Sequence, residues 1–123
     1  MAIAGHDTVI HAGAFKYVPQ GETNIIECHE INTMGSLNVA RAAINHNVET
    51  VIGLSTDKAC SPINVYGITK LMMEKIFQEA DAKSATQFNL VRYGNVVSST
   101  GSAIPIFRRQ IRETRTVKLT NRS

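Results

Sequence analysis

Five side chains that could act as acids and bases lie within fifteen positions of this sequence. Thr56, Asp57 and Lys58 are consecutive, and Tyr66 and Lys70 follow eight and twelve residues after Lys58. Residues four apart lie on the same side of a helix, so the ammonium of Lys70 could stabilise a Tyr66 phenolate. Such a pair can remove a proton from a substrate hydroxyl. Asp57 and Lys58 offer the acid and the base that an elimination of water requires.

Each part of this cluster also has a purely structural interpretation. An isolated tyrosine and lysine at this spacing are compatible with a surface tyrosine beside a solvated lysine. Asp57 and Lys58 are likewise compatible with an exposed ion pair of little energetic weight. The position of the cluster favours the chemical interpretation, because Thr56 follows an apolar run, Val51–Ser55, that is typical of a buried strand. Open α/β sheets bind their ligands at the carboxyl ends of such strands.

Strand and helix patterns alternate along the chain, which predicts parallel strands joined by right-handed crossovers. We predict an α/β fold with a partial, doubly wound parallel sheet of three to four strands. The predicted elements are strands at Asp7–Gly13, Thr50–Ser55, Gln87–Tyr93 and Thr116–Leu119, and helices at His29–Asn47, Asn64–Lys83 and Ile104–Glu113. Spacings of three and four predict the buried sides of the first two helices as Met34, Leu37, Ala40, Ile44 and Val48, and as Ile68, Leu71, Met72, Ile76 and Ala80.

Composition places the chain among globular proteins of one domain at most. It has 123 residues, of which 43% are hydrophobic and 19% charged. No apolar run approaches the ~20 residues of a membrane span, and Met1–Asp7 has no secretory pattern. Cys28 and Cys60 have no metal-ligand spacing and are too few for a disulfide framework. These features predict a cytoplasmic protein with no metal site and no membrane contact.

Basic residues are concentrated at the end of the chain. The last sixteen residues contain six lysines or arginines and one acidic residue, within an overall net charge of +3. A solvated surface explains this pattern, and contact with an anion such as a diphosphate is the functional alternative. Nucleic acid is not an expected partner, because no aromatic residues are interleaved with the basic ones.

Four segments together resemble one enzyme family, the extended short-chain dehydrogenases/reductases. The resemblance is closest to the inverting UDP-N-acetylglucosamine 4,6-dehydratases and their polysaccharide-biosynthesis relatives. The segments are LSTDKACSPINVYGITKLMMEKIF, DTVIHAGAFKYVP, INTMGSLNVARAA and FNLVRYGNVVSSTGSAIPIFRRQI. The resemblance implies that the predicted sheet belongs to a Rossmann-like domain that binds NADP or NAD.

The resemblance also implies a role for each residue of the cluster. Tyr66 would be the base for oxidation at C4 of the sugar, and Thr56 would orient the C4 oxygen. Lys70 would hold the nicotinamide ribose and tune Tyr66. Lys58 would remove the C5 proton, and Asp57 would protonate the leaving C6 hydroxyl.

Further positions follow from the same resemblance. Asn32 would be a structural and proton-relay residue near the cofactor. The residues that would line the dinucleotide are Ala12, Gly13 and Ala14, with Tyr66 and Lys70. The residues that would bind the UDP-sugar substrate are Lys16, Asn95, Ser98 and Ser102.

The glycine-rich turn that holds the pyrophosphate in this family is not found in the sequence. We therefore expect residues 1–123 to be the central to C-terminal part of an NAD(P)-binding domain, truncated at both ends, without the phosphate-binding part and the C-terminal substrate domain. The expected function is 4,6-dehydration of a nucleotide sugar in surface polysaccharide biosynthesis. A nucleotide-sugar 4-epimerase is one alternative, since it needs only the hydroxyl, the tyrosine and the lysine. The other is a fragment without catalysis that serves in oligomerisation or partner binding. Expected partners are a second copy or a complementing chain.

Overall fold

The computed structural model describes residues 2–94, in which strands and helices alternate. The strands are β1 (Thr8–His11), β2 (Thr50–Thr56) and β3 (Gln87–Tyr93). The α-helices of this range are α1 (Val18–Thr23), α2 (Ile25–His29), α3 (Gly35–Asn45) and α4 (Val65–Lys83). A π-helical turn, Glu30–Met34, joins α2 to α3, and a 3₁₀ turn, Asp57–Ala59, follows β2. None of the helices between residues 2 and 94 combines the length and the apolar character needed to cross a membrane.

The strands of this range form one parallel sheet in the order β1-β2-β3. Val51 of β2 pairs with Val9 on one side and with Phe88 on the other. At the carboxyl end of the sheet, Thr56 pairs with Tyr93. The predicted parallel α/β arrangement is therefore confirmed for these strands. The predicted helix 104–113 and strand 116–119 lie outside the described residues.

The core lies between one face of the sheet and the helices α3 and α4. The buried side chains of this core come from α3, from α4, from the sheet and from the loop before β2. They are Ala40, Ala43, Val48, Val51, Met73, Phe77 and Phe88. The rings of Phe77 and Phe88 pack with their centroids 5.2 Å apart. On the opposite face, Ile10 and Val91 are 66% and 47% exposed. Since successive side chains of a strand point to opposite faces, this alternation follows from the period of two.

The buried side of α4 agrees with the predicted one only in part, since Ile76 and Ala80 pack against the core as predicted. Ile68 and Met72, which we expected in the core, are 53% and 48% exposed. Lys70, Met73 and Glu74 are buried instead. Apolar residues lie on both sides of this helix, so periodicity alone did not identify the side that faces the sheet. Packing against β2 and β3 selects the side with Met73, and the two charged residues are buried with it.

The helical region before β2 also differs from the prediction. Helix formation begins at Val18 and continues from Ile25, ahead of the predicted start at His29. Met34 is 39% exposed and Ser36 is fully buried, but Ala40, Ile44 and Val48 lie in or against the core as predicted. A small side chain such as that of Ser36 allows a helix to lie close to its neighbour, which explains its burial. The observed boundaries of β2, α4 and β3 agree with the predicted segments to within one residue.

Candidate active site

The first turn of α4 is fixed at the carboxyl end of β2 by two hydrogen bonds. Asn64 caps the helix, because its side-chain oxygen accepts a hydrogen bond of 2.7 Å from the amide of Gly67. The carboxylate of Glu22, on α1, accepts a hydrogen bond of 2.6 Å from the amide of Val65. Helix α1 is therefore tied to the start of α4, at the edge of the sheet where β2 ends at Thr56.

The hydroxyl of Thr56 connects the residues of the candidate site. It donates a hydrogen bond of 3.0 Å to Oδ1 of Asp57 and accepts one of 3.3 Å from the amide of Lys58. The same side chain lies close to the phenol of Tyr66 and lowers its pKa. The structure thus brings together four of the five residues that the sequence predicted to act together.

Asp57 and Lys58 form an ion pair that faces solvent. Their side-chain atoms Oδ1 and Nζ lie 3.4 Å apart, and the two side chains are 63% and 35% exposed. The hydrogen bond from Thr56, followed by the charge and hydrogen bonds of Lys58, lowers the pKa of Asp57. The aspartate is therefore a carboxylate at neutral pH, and an acid role requires that it first receives a proton.

Tyr66 is buried, with 8% of the residue exposed. Burial and the charge of Tyr93 raise its pKa above 10.0, and the nearby side chain of Thr56 only partly opposes this rise. The expectation that Lys70 lowers the pKa of Tyr66 is therefore wrong for the chain as it stands. The reason is geometric, because the ammonium of Lys70 is directed at β2 and not at the phenol.

Lys70 is as buried as Tyr66, with 4% of the residue exposed. Its Nζ donates a hydrogen bond of 2.8 Å to the carbonyl of Leu54 and contacts Sδ of Met73 at 3.6 Å. Burial lowers the pKa of Lys70 below its usual value, and the carboxylate of Glu74 offsets this only in part. The predicted sharing of one helix side by Tyr66 and Lys70 is confirmed, since α4 buries both residues.

Asn32 lies at the centre of a buried hydrogen-bond network. Its Oδ1 accepts a bond of 2.7 Å from the amide of Phe15, and its Nδ2 donates to the carbonyl of Phe15 at 3.0 Å. Nδ2 also donates to the hydroxyl of Thr69 at 3.0 Å, and that hydroxyl donates to the carbonyl of Tyr66 at 2.8 Å. Asn32 belongs to the π-helical turn, an irregularity that is frequent at functional sites. The network fixes the loop after β1 to the helix that carries Tyr66.

The loop after β1 provides exposed small residues beside the sheet edge. Ala12, Gly13 and Ala14 are all exposed, and no atom lies within 4 Å of where a β-carbon at Gly13 would be. Lys16 is exposed as well, and its Nζ lies 5.5 Å from the centre of the Tyr17 ring. The ammonium of Lys70, described above, has three N–H groups. Its contacts with the carbonyl of Leu54 and the sulfur of Met73 involve two of them.

Asn95, Ser98 and Ser102, which were predicted to bind the substrate, lie outside the described residues.

Three residues of this region were not predicted from the sequence. Tyr93 is 45% exposed and pairs with Thr56 across the sheet. Buried Glu74, whose charge acts on Lys70, pairs with Arg92, whose side chain is 46% exposed. The signals were available in part, since Tyr93 ends a predicted strand and Glu74 follows Lys70 by one helical turn.

Comparison with curated relatives identifies nucleotide-sugar enzymes. The chain is 47% identical over 110 residues to the UDP-N-acetylglucosamine 4,6-dehydratase (inverting) of Campylobacter jejuni serotype O:2, covering 87% of the chain and 33% of the relative. It is 44% identical over 126 residues to the UDP-glucose 4-epimerase of Rickettsia akari, covering 99% of the chain and 37% of the relative. The chain thus spans about a third of the length of these curated relatives.

Solved structures show the same fold. Pen from Bacillus thuringiensis matches with a TM-score of 0.92 at 40% identity, over 98% of this chain and 39% of that one. At 22% identity, RMD from Pseudomonas aeruginosa complexed with NADPH matches with a TM-score of 0.77, over 85% of this chain and 43% of that one. At 17% identity, the dTDP-glucose 4,6-dehydratase DesIV from Streptomyces venezuelae with NAD matches with a TM-score of 0.80, over 89% of this chain and 39% of that one. The two distant matches show the fold alone, and the predicted Rossmann-like class is confirmed.

The family model described as polysaccharide biosynthesis protein matches residues 1–123. The match therefore includes every residue of the candidate site. Together with the 47% identical relative, it confirms the resemblance drawn from the four segments of the sequence. The chain belongs to the family of polysaccharide biosynthesis proteins.

Proposed function

We propose that this protein is a nucleotide-sugar 4,6-dehydratase that acts on a UDP-N-acetylglucosamine-type substrate. The observation that carries the proposal is the position of Thr56, which hydrogen-bonds to Asp57 and lies close enough to the Tyr66 phenol to lower its pKa. This position supports a role for Tyr66 as the base for a sugar hydroxyl, close to the paired Lys58 and Asp57. The 47% identity to an enzyme named for this reaction supports the same assignment.

Tyr66 would remove the proton of the C4 hydroxyl, whose oxygen the Thr56 hydroxyl would orient. A bound NADP or NAD would accept the hydride from C4 and return it to C6. Because burial raises the pKa of Tyr66, the phenolate needs support from a positive charge. To supply this charge and hold the nicotinamide ribose, the ammonium of Lys70 would have to turn from the carbonyl of Leu54 toward the phenol.

Asp57 and Lys58 would carry out the elimination as a pair. At rest they form an ion pair of 3.4 Å, in which neither group has the protonation state that elimination needs. Transfer of one proton from the ammonium to the carboxylate produces an amine and a carboxylic acid. The amine then takes the C5 proton, the acid protonates the leaving C6 hydroxyl, and water departs. Both groups return to the ion pair, so the proton count is balanced over the step.

The remaining assignments follow the same proposal. Asn32 would hold the loop that lines the cofactor, as its bonds to Phe15 indicate. The substrate would contact Lys16, Asn95, Ser98 and Ser102, and the cofactor Ala12, Gly13 and Ala14. We further propose that the protein works in the cytoplasm in surface polysaccharide biosynthesis, as a homo-oligomer or with a complementing chain.

A chimera tests this proposal directly. The matching segment of the Campylobacter jejuni dehydratase is replaced by this chain, and the product made from UDP-N-acetylglucosamine in deuterated water is followed by mass spectrometry. A dehydratase yields a product that has lost one water and gained one deuterium at C5. In the chimera, Lys58→Ala should abolish water loss and still allow reduction of the cofactor, since oxidation at C4 uses Tyr66. Lys83→Ala is the matched control, because that lysine is exposed at the far end of α4.

The other outcomes separate the alternatives. A C4 epimer without loss of water or uptake of deuterium would establish the 4-epimerase that the Rickettsia akari relative suggests. A folded chimera that neither reduces cofactor nor changes the substrate would establish a segment without catalytic capacity. Water loss at the parental rate in the Lys58→Ala chimera would refute the role of Lys58 while leaving the dehydratase activity in place.

A further inference from the structure

Helix α4 buries two opposite charges one turn apart. Lys70 and Glu74 are 4% and 3% exposed, although lysine and glutamate are rarely buried unless they are paired. Arg92 of β3 holds the carboxylate of Glu74 with two parallel hydrogen bonds, of 2.7 Å from Nε to Oε1 and of 2.6 Å from Nη2 to Oε2. This bidentate geometry is the strong form of an arginine–carboxylate contact, and it joins the helix to the strand at a defined position.

The contacts of Lys70 itself do not balance its charge. Its ammonium donates to the neutral carbonyl of Leu54 and lies against the sulfur of Met73. A buried ammonium without a nearby negative charge loses its proton readily, because burial disfavours the charged form. Glu74 is buried one helical turn after Lys70 on the same helix, and its charge raises the pKa of Lys70.

Among residues 2–94, the other titratable groups around α4 do not take this role. His11 of β1 is near Lys70, but burial and the charge of Lys70 lower its pKa, so it is neutral at neutral pH. Asp57, in the turn after β2, is exposed and paired with Lys58. Groups on the neighbouring helical segments face solvent or bind elsewhere: Glu22, which accepts from Val65, and Glu27, Glu30 and Arg41, which are exposed.

We propose that Glu74, held in place by Arg92, is the positioning residue that keeps Lys70 in its ammonium form at the candidate site. The proposal extends the proposed function, because Lys70 is there the group that holds the ribose and stabilises the Tyr66 phenolate. Arg92 sets the strength of the effect, since its positive charge partly neutralises Glu74. Removing either partner should therefore shift the titration of Lys70, and in opposite directions.

Carbon-13 NMR of this chain, labelled at the ε-carbon of lysine, tests the proposal. The Lys70 signal is assigned by its disappearance in Lys70→Arg. Glu74→Gln removes the countercharge and should move the Lys70 midpoint to lower pH by at least about half a unit. Arg92→Gln leaves Glu74 without its cation and should move the midpoint to higher pH. Glu79→Gln is the matched control and should leave Lys70 unchanged, because this exposed carboxylate on the same helix pairs with Lys83.

Three results would overturn the proposal: a wild-type Lys70 that is neutral at neutral pH, an unchanged midpoint in Glu74→Gln, or shifts of both variants in the same direction. A purely structural pair would give no opposed shifts. If the amide spectrum shows that Glu74→Gln is unfolded, the wild-type protonation state and Arg92→Gln decide the question. The measurement needs no turnover, so a negative result here leaves the dehydratase proposal standing, and an inactive chimera leaves this one standing.

Discussion

Gly67→Ala should separate α4 from the turn that carries Asp57 and Lys58. A β-carbon at Gly67 would overlap the carbonyl oxygen of Lys58. It would also lie 3.0 Å from Cβ of Pro62 and 3.2 Å from Oδ1 of Asn64. The obstacles are main-chain and proline atoms that cannot rotate away, so the backbone of one element has to move.

The size of the effect follows from three contributions. Overpacking at a close contact costs about 1–3 kcal/mol. Disturbing the cap that Asn64 provides to the amide of Gly67 costs about 1 kcal/mol. Alanine restores about 0.5–1 kcal/mol, because glycine is the poorer helix former. The free energy of unfolding should therefore fall by about 1–3 kcal/mol.

Urea unfolding of the 123-residue chain, followed by circular dichroism, measures this loss. Gly35→Ala is the matched control, since it is also helical and its added β-carbon would meet the carbonyl of Glu30 at 3.6 Å, an ordinary contact. That variant should be unchanged or more stable by about 0.5–1 kcal/mol. If Gly67→Ala is as stable as the wild type or as Gly35→Ala, the close contact between helix and turn does not exist as described.

Three further predictions concern buried groups. Asn32→Ala should lower the free energy of unfolding by about 2–4 kcal/mol, because it leaves the amide and carbonyl of Phe15 unpaired. Asn38→Ala, at an exposed position, should change this free energy by less than ~0.5 kcal/mol, and equal losses in the two variants would contradict the network. Stability should fall as the pH decreases below 4.5, because the hydrogen bonds from Arg92 hold the pKa of Glu74 in the folded protein below that value. The denaturation midpoint should therefore decrease less with falling pH in Glu74→Gln than in the wild type. If the midpoints of the two proteins change in parallel with pH, Glu74 makes no contribution. The phenolate absorbance should contain a titration step above pH 10.0 that is absent in Tyr66→Phe. If Tyr66→Phe instead removes a step at lower pH, Tyr66 is not buried as described.

The order and type of the main elements could be predicted from the sequence alone. Alternating apolar segments predicted parallel strands joined by helices, and the boundaries of β2, α4 and β3 follow those segments. The approximate place of the site was also predictable, because parallel strands bring their carboxyl ends to one edge. Thr56, Asp57, Lys58 and Tyr66 are close in the chain, so a strand end and the following helix start were enough to bring them together.

The groups that surround these residues, and their charge states, depend on contacts between distant parts of the chain. Glu22, Asn32 and Arg92 reach α4 from distant parts of the chain, and no local pattern encodes such contacts. The direction of Lys70 was likewise undetermined, because helix spacing predicts which side a residue lies on but not where a long side chain ends. Burial, which depends on the packing of α4 against the sheet, then raises the pKa of Tyr66. Spacing supplies neighbours along the chain, whereas desolvation and long-range pairing arise only when the layers pack.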